Sequence, residues 1–451
     1  MKTQLLTLGL IFINLSQLFS QNHSIGHTTI NFVDSSRNNR VIQTEIYYPA
    51  STQGNNVPAI QGAFPVIVFG HGFVMAWDAY ENLWTELVPQ GYIMAFPRTE
   101  GNAFSTNHQR FGWDLQFLVT RMQQESGGVS SILYNTMATE TALMGHSMGG
   151  GASFLAADSL CVNGNINLKT LVGLAPAEST SNGVSSINSA KSVTVPSLIF
   201  SGAQDGVTPP NDHHIPMYDS LNSVCKNFVS ITGGAHCYFA EPNFNCDFGE
   251  STSSTGISIT RSEQHQTTYD FLNLWLSYTL KGDCNAFDIF NDSLTNSSRV
   301  VTQQQCYGNL QPSINYNMGQ LFSSVSGVSY QWYLNGNPLQ GETQISTTPQ
   351  SQGNYTVEVF FQDGCSKTSL PYSFVSTSIS VHQQTNLNIY PNPAKSYLII
   401  DGLKDQSVRL LSVEGRILDL LIDGNKIDTS RLPSGIYVLN IESNFYKFIK
   451  E

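Results

Sequence analysis

At 451 residues, with a formal net charge of -12 and only 12% charged side chains, the chain is too long for one ordinary domain and too acidic for a nucleic-acid binder, whose phosphate contacts demand a basic face. Its 40% hydrophobic and 11% aromatic residues supply real cores, which excludes a disordered chain, and its polar, weakly charged style suits an exported protein.

In chain order, Lys2 and the apolar run Leu5-Leu6-Thr7-Leu8-Gly9-Leu10-Ile11-Phe12-Ile13, then the small Ser20, read as an export signal over residues 1–20. The run is too short to span a bilayer. Residues 21–283 alternate apolar runs with helical patterns. Phe64–Phe69, Tyr92–Pro97, Thr141–Met144, Leu171–Ala175 and Ser197–Phe200 are candidate strands buried on both faces. Helices are expected over 78–88, 111–123 and 149–160, with a closing amphipathic helix over about 259–281. This alternation predicts a largely parallel sheet covered by helices on both faces, an α/β fold.

Residues 284–378 change character. The run Ser329-Tyr330-Gln331-Trp332-Tyr333-Leu334, the turn at Asn335-Gly336, and Gly353-Asn354-Tyr355-Thr356-Val357-Glu358-Val359 predict an antiparallel module resembling an immunoglobulin-like sandwich. Residues 379–451 read as another small β sandwich, from Leu387-Asn388-Ile389-Tyr390-Pro391-Asn392-Pro393 through Val408–Arg416 to Leu432-Pro433-Ser434-Gly435-Ile436-Tyr437-Val438. These runs, in this order, resemble the C-terminal sorting domain of the type IX secretion system. The expected fold class is therefore an α/β domain followed by two small all-β domains.

There are seven cysteines. In an oxidising compartment they persist as disulfides. Cys237 and Cys246 could close one loop, and Cys306 and Cys365 could pair later in the chain; Cys161, Cys225 and Cys284 remain, and an odd count leaves one thiol over. No His/Cys spacing suggests a metal, and no cofactor is called for.

The chemistry centres on Gly145-His146-Ser147-Met148-Gly149. A lone G-x-S-x-G is weak, but here it follows an apolar strand and opens a helix through Gly149, Gly150, Gly151 and Ala152. That is the setting a nucleophile elbow needs. Serine attacks only when a base takes its proton. Such an elbow points to an α/β-hydrolase fold for the first domain, in which the order is serine, acid, histidine. Asp205 follows the strand Ser197–Ser201, and His236 follows Phe228–Thr232 and a glycine pair. Asp212 and Asp219 are rival acids further past the strand; His213 and His214 are expected to face solvent in a Pro-rich loop, and His71 to be a structural turn residue. The oxyanion hole is expected from the backbone N–H groups of Met148 and Phe73. Phe73, His146 and Ala177 are the expected substrate contacts.

These residues resemble the bacterial cutinase-like polyesterases, including poly(ethylene terephthalate) (PET) hydrolases; with the sorting domain, the chain resembles the PET-active esterases of Bacteroidetes. The resemblance implies a secreted or cell-surface serine ester hydrolase acting on polyesters, monomeric, with the type IX machinery as its export partner. One position departs from the pattern: such enzymes usually carry Trp after the strand ending Ala175-Pro176, where this chain has Ala177-Glu178. Ring binding is then left to Phe73, and Glu178 adds a charge near the rim, which implies a broad polyesterase. A lipase or short-chain esterase of the same fold is the alternative, and a non-catalytic surface adhesin the contrasting class.

Overall fold

The computed structural model describes residues 22–178, 183–306, 311–361, 364–375, 387–404, 406–442 and 444–451; the expected export signal lies outside them. Two compact units divide the chain, residues 1–373 and 374–451.

The first unit is built on a ten-stranded sheet. Its strands are β1 (Ser24–Asp34), β2 (Arg40–Ala50), β3 (Gly54–Asn55), β4 (Phe64–Gly70), β5 (Ile93–Pro97), β6 (Met137–His146), β7 (Leu168–Leu174), β8 (Ser197–Gly202), β9 (Cys225–Ile231) and β10 (Val300–Cys306), in spatial order β10-β9-β8-β7-β6-β4-β5-β2-β1-β3. From β5 to β9 every pairing is parallel, while β2 and β10 join antiparallel at either side. Strand β4 shows why continuous apolar runs are needed. Its Val66 and Val68 point into one core with Phe111 and Leu115 of α2 (His108–Ser126) and Phe154 of α3 (Met148–Val162). Ile67 and Phe69 point into the other, with Leu83 and Trp84 of α1 (Glu81–Leu87) and with Phe271 and Trp275 of the closing Arg261–Lys281 helix. Alternate side chains leave opposite faces of a strand, so a strand between two helical layers must be apolar at every position. The closing helix starts as the sequence suggests, with a capping box of Thr260 and Glu263.

Two expectations are corrected here. The sheet does not end at residue 283: a helix over Cys284–Asn296 packs Phe287 and Phe290 into the core, and β10 pairs with β9. Because β10 lies beside β9, Cys306 faces Cys225 in the strand register and bonds to it, and Cys365 bonds to Cys284; the Cys306–Cys365 pair does not form. Cys237–Cys246 forms as expected, and Cys161 is free.

The middle module is a sandwich of two antiparallel sheets. Trp332 is fully buried, and the Tyr355 hydroxyl donates to the Ser351 carbonyl at 2.9 Å, the corner bond of immunoglobulin-like folds. The second unit carries two four-stranded antiparallel sheets around Leu398, Ile400, Leu410, Ile427, Leu439 and Phe448. Among the described residues, no helix is long and apolar enough to cross a membrane.

Candidate active site

Strands β6 and β8 and the turn after β9 end on the same edge of the sheet and carry Ser147, Asp205 and His236, where an α/β sheet places its functional loops. Ser147 links β6 directly to α3 at φ 53°, ψ -120°. Non-glycine residues reach such a conformation only at a cost of about 1–3 kcal/mol, so the surroundings must hold it there. They do: its N–H donates to the Leu174 carbonyl at 3.0 Å, and its carbonyl accepts from Gly151 and Ala177 at 3.0 and 2.8 Å. Gly149 is required by close approach, because a Cβ there would stand 2.1 Å from the Gly70 backbone.

His236 Nδ1 lies 2.7 Å from Asp205 Oδ2, with both groups buried. The other carboxylate oxygen accepts the N–H groups of Val207 and Thr208 at 2.9 and 2.7 Å. Burial works to raise the Asp205 pKa, but the charge and hydrogen bond of His236, with smaller help from His214 and the Thr208 amide, hold the carboxyl below its usual range. An ionised Asp205 keeps the proton of His236 on Nδ1 and leaves the Nε2 lone pair free to act as a base. The rival acids Asp212 and Asp219 are both exposed.

The expected oxyanion and substrate residues separate on inspection. Phe73 is 49% exposed on the loop after β4, and Met148 opens α3, so its N–H has no carbonyl one turn back within the helix. Ala177 is half-buried and holds Ser147 through its backbone. His146 is fully buried, with Nδ1 2.9 Å from the Tyr80 hydroxyl and Nε2 donating to the His236 carbonyl at 3.0 Å. The same hydroxyl accepts the Gly72 N–H at 2.7 Å. His146 therefore ties the loop before Phe73 to the loop of His236. The Glu178 carboxylate accepts the Ile187 N–H at 2.8 Å, and its own N–H donates to His213 Nδ1. His71 is buried, as expected of a structural turn residue.

The clearest correction concerns His214, expected in solvent and found fully buried behind Asp205. Its Nδ1 lies 2.8 Å from Ser201 Oγ and its Nε2 3.0 Å from Thr208 Oγ1, while Thr208 Oγ1 also donates to Asp205 Oδ2 at 2.9 Å. Burial pushes His214 down to about 3 and lowers His71 and His146 as well. Neutral when folded, these rings take up protons in the unfolded chain below about pH 6.5. Stability is intact above that pH and is lost as pH falls from about 6.5 toward about 3. The urea midpoint is expected to drop between pH 7 and pH 4; a midpoint that stays level across that range refutes the assignment. Thr208, His214 and Glu250, whose carboxylate accepts the N–H of His236 at 3.0 Å and of Cys237 at 2.6 Å, escape sequence reasoning. No local motif marks a polar residue that acts through another loop.

Residues 20–260, more than half of the chain, match the PET hydrolase-like family, and residues 388–451 match the secretion system C-terminal sorting domain. Cutinase 1 of Thermobifida cellulosilytica is 33% identical over 100 residues, covering 22% of this chain and 34% of that protein. The cutinase of Thermobifida fusca (strain YX) is also 33% identical over 100 residues, covering 22% of this chain and 29% of its own length. The aligned stretch thus spans about a third of these relatives.

Proposed function

The chain belongs to the PET hydrolase-like family, and from that premise we propose that it is a serine ester hydrolase that cleaves polyesters, PET among them, through Ser147, His236 and Asp205. The observation that carries the reading is the buried 2.7 Å contact between Asp205 and His236, on loops that leave the same sheet edge as a serine held at positive φ. The C-terminal sorting domain marks the chain for secretion or the cell surface, with the secretion machinery as its partner.

In this reading His236 Nε2 takes the Ser147 proton as Oγ attacks the ester carbonyl. The tetrahedral oxyanion is received by the N–H groups of Phe73 and Met148, at the start of α3 where the helix dipole favours negative charge. His236 then returns the proton to the leaving alcohol, and water, activated by the same ring, releases the acid. The exposed Phe73 ring faces the acyl group. The domain division follows the chemistry: a hydrolase unit, an immunoglobulin-like spacer or binding module, and the sorting domain. A short-chain esterase of the same fold is the second reading, favoured by Ala177 standing where the polyesterases usually place Trp. Incubating the mature enzyme with PET film, cutin and triglycerides separates the two. Release of terephthalate esters or hydroxy acids is expected; release of fatty acids alone refutes the polyester reading.

A further inference from the structure

The helix α6 (Phe244–Ser253) is not part of the catalytic set, yet it is joined to all three loops around it. At its start, Asn245 Nδ2 donates to the Val74 carbonyl at 3.0 Å, and Val74, directly after Phe73, sits at φ 54°. In its middle, Cys246 is bonded to Cys237 and Glu250 holds the His236 and Cys237 amides. At its end, Ser254 Oγ accepts the Gly206 N–H at 2.8 Å, and the approach is so close that a Cβ on Gly206 would stand 2.1 Å from the Ser253 carbonyl oxygen. One short helix thus touches the Phe73 loop, the His236 loop and the Asp205 loop.

Its remaining face carries Phe244 and Phe248, one turn apart, 83% and 63% exposed, with ring centroids 6.3 Å apart and planes within 21°. Exposed phenyl rings forfeit burial free energy, and a paired, rigidly mounted set marks a contact surface. The helix offers that surface no free charge. Its only ionisable side chains are Asp247, paired with Arg261 at 2.6 Å, and the buried Glu250. A neutral apolar partner suits such a face, and the strap-like attachment of α6 puts that partner beside the reacting loops.

We propose that Phe244 and Phe248 form a docking platform for the uncharged chain of a solid polyester, next to the site where its ester is cut. The proposal rests on the polyester reading and adds to it the surface on which the polymer is held. The test compares wild type with F244S/F248S on two substrates, soluble p-nitrophenyl butyrate and PET film, with adsorption to polyester particles measured by depletion. Turnover of the soluble ester is expected to stay within about twofold, while adsorption and product release from film fall about tenfold or more. F244Y/F248Y keeps the rings and is expected to restore adsorption, which separates lost contact from lost fold. Unchanged adsorption in F244S/F248S overturns the platform. So does a wild-type dimer, seen by light scattering, that the double variant dissolves, since the rings would then seal a second copy. A wild type that cleaves p-nitrophenyl butyrate but no polymer instead sinks the polyester reading itself.

Discussion

Replacing Ser147 with alanine is expected to abolish ester hydrolysis, with kcat on p-nitrophenyl butyrate falling on the order of a million-fold. The magnitude follows from what the side chain does. Without Oγ there is no acyl-enzyme, and the remaining groups can only polarise the ester and orient water. The fold is expected to survive, because the bonds that hold position 147 are made by its backbone N–H and carbonyl, and alanine retains both. Circular dichroism and the melting temperature check this. A variant with more than a few per cent of wild-type turnover would move the nucleophile elsewhere and remove the adhesin contrast at the same time.

Asp205→Asn is expected to lower kcat by about ten-thousand-fold while leaving the protein folded. The substituted amide oxygen can still accept the Val207 and Thr208 N–H groups, which bind Oδ1. The change falls on the other atom. An NH2 in place of Oδ2 has a proton to give to His236 Nδ1, so the ring's own proton moves to Nε2 and the lone pair that should meet Ser147 is lost. Thr208 Oγ1 also loses an acceptor at 2.9 Å and keeps the longer contact to the Ala175 carbonyl at 3.4 Å. Turnover within tenfold of wild type would exclude Asp205 as the acid.

Much of this site is legible before folding is known, because the chemistry imposes local signatures. The elbow needs small residues around Ser147, and they stand together as Gly145, Gly149, Gly150 and Gly151. The proposed acid and base each follow an apolar run that a buried strand requires, so position alone points to Asp205 and His236. The same holds for the two sandwiches, whose alternation and turns are short-range features. The two long-range cysteine pairings were not legible: Cys225–Cys306 and Cys284–Cys365 each join residues 81 apart, and which strand lies beside which is a property of the sheet.

The histidines mark the boundary between the two kinds of knowledge. His214 lies in a polar, proline-rich segment that reads as solvated, but α5 (His214–Ser220) begins at that residue and turns the ring inward onto Ser201 and Thr208. His146 is next to Ser147 in sequence, yet its partners are Tyr80 and His236, 66 and 90 residues away. Residue type and order along the chain determined which groups could react, since reactivity resides in side chains and the elbow is a local turn. Tertiary structure alone decided which polar groups hold those side chains in place, because burial and hydrogen bonding join loops that the sequence leaves far apart.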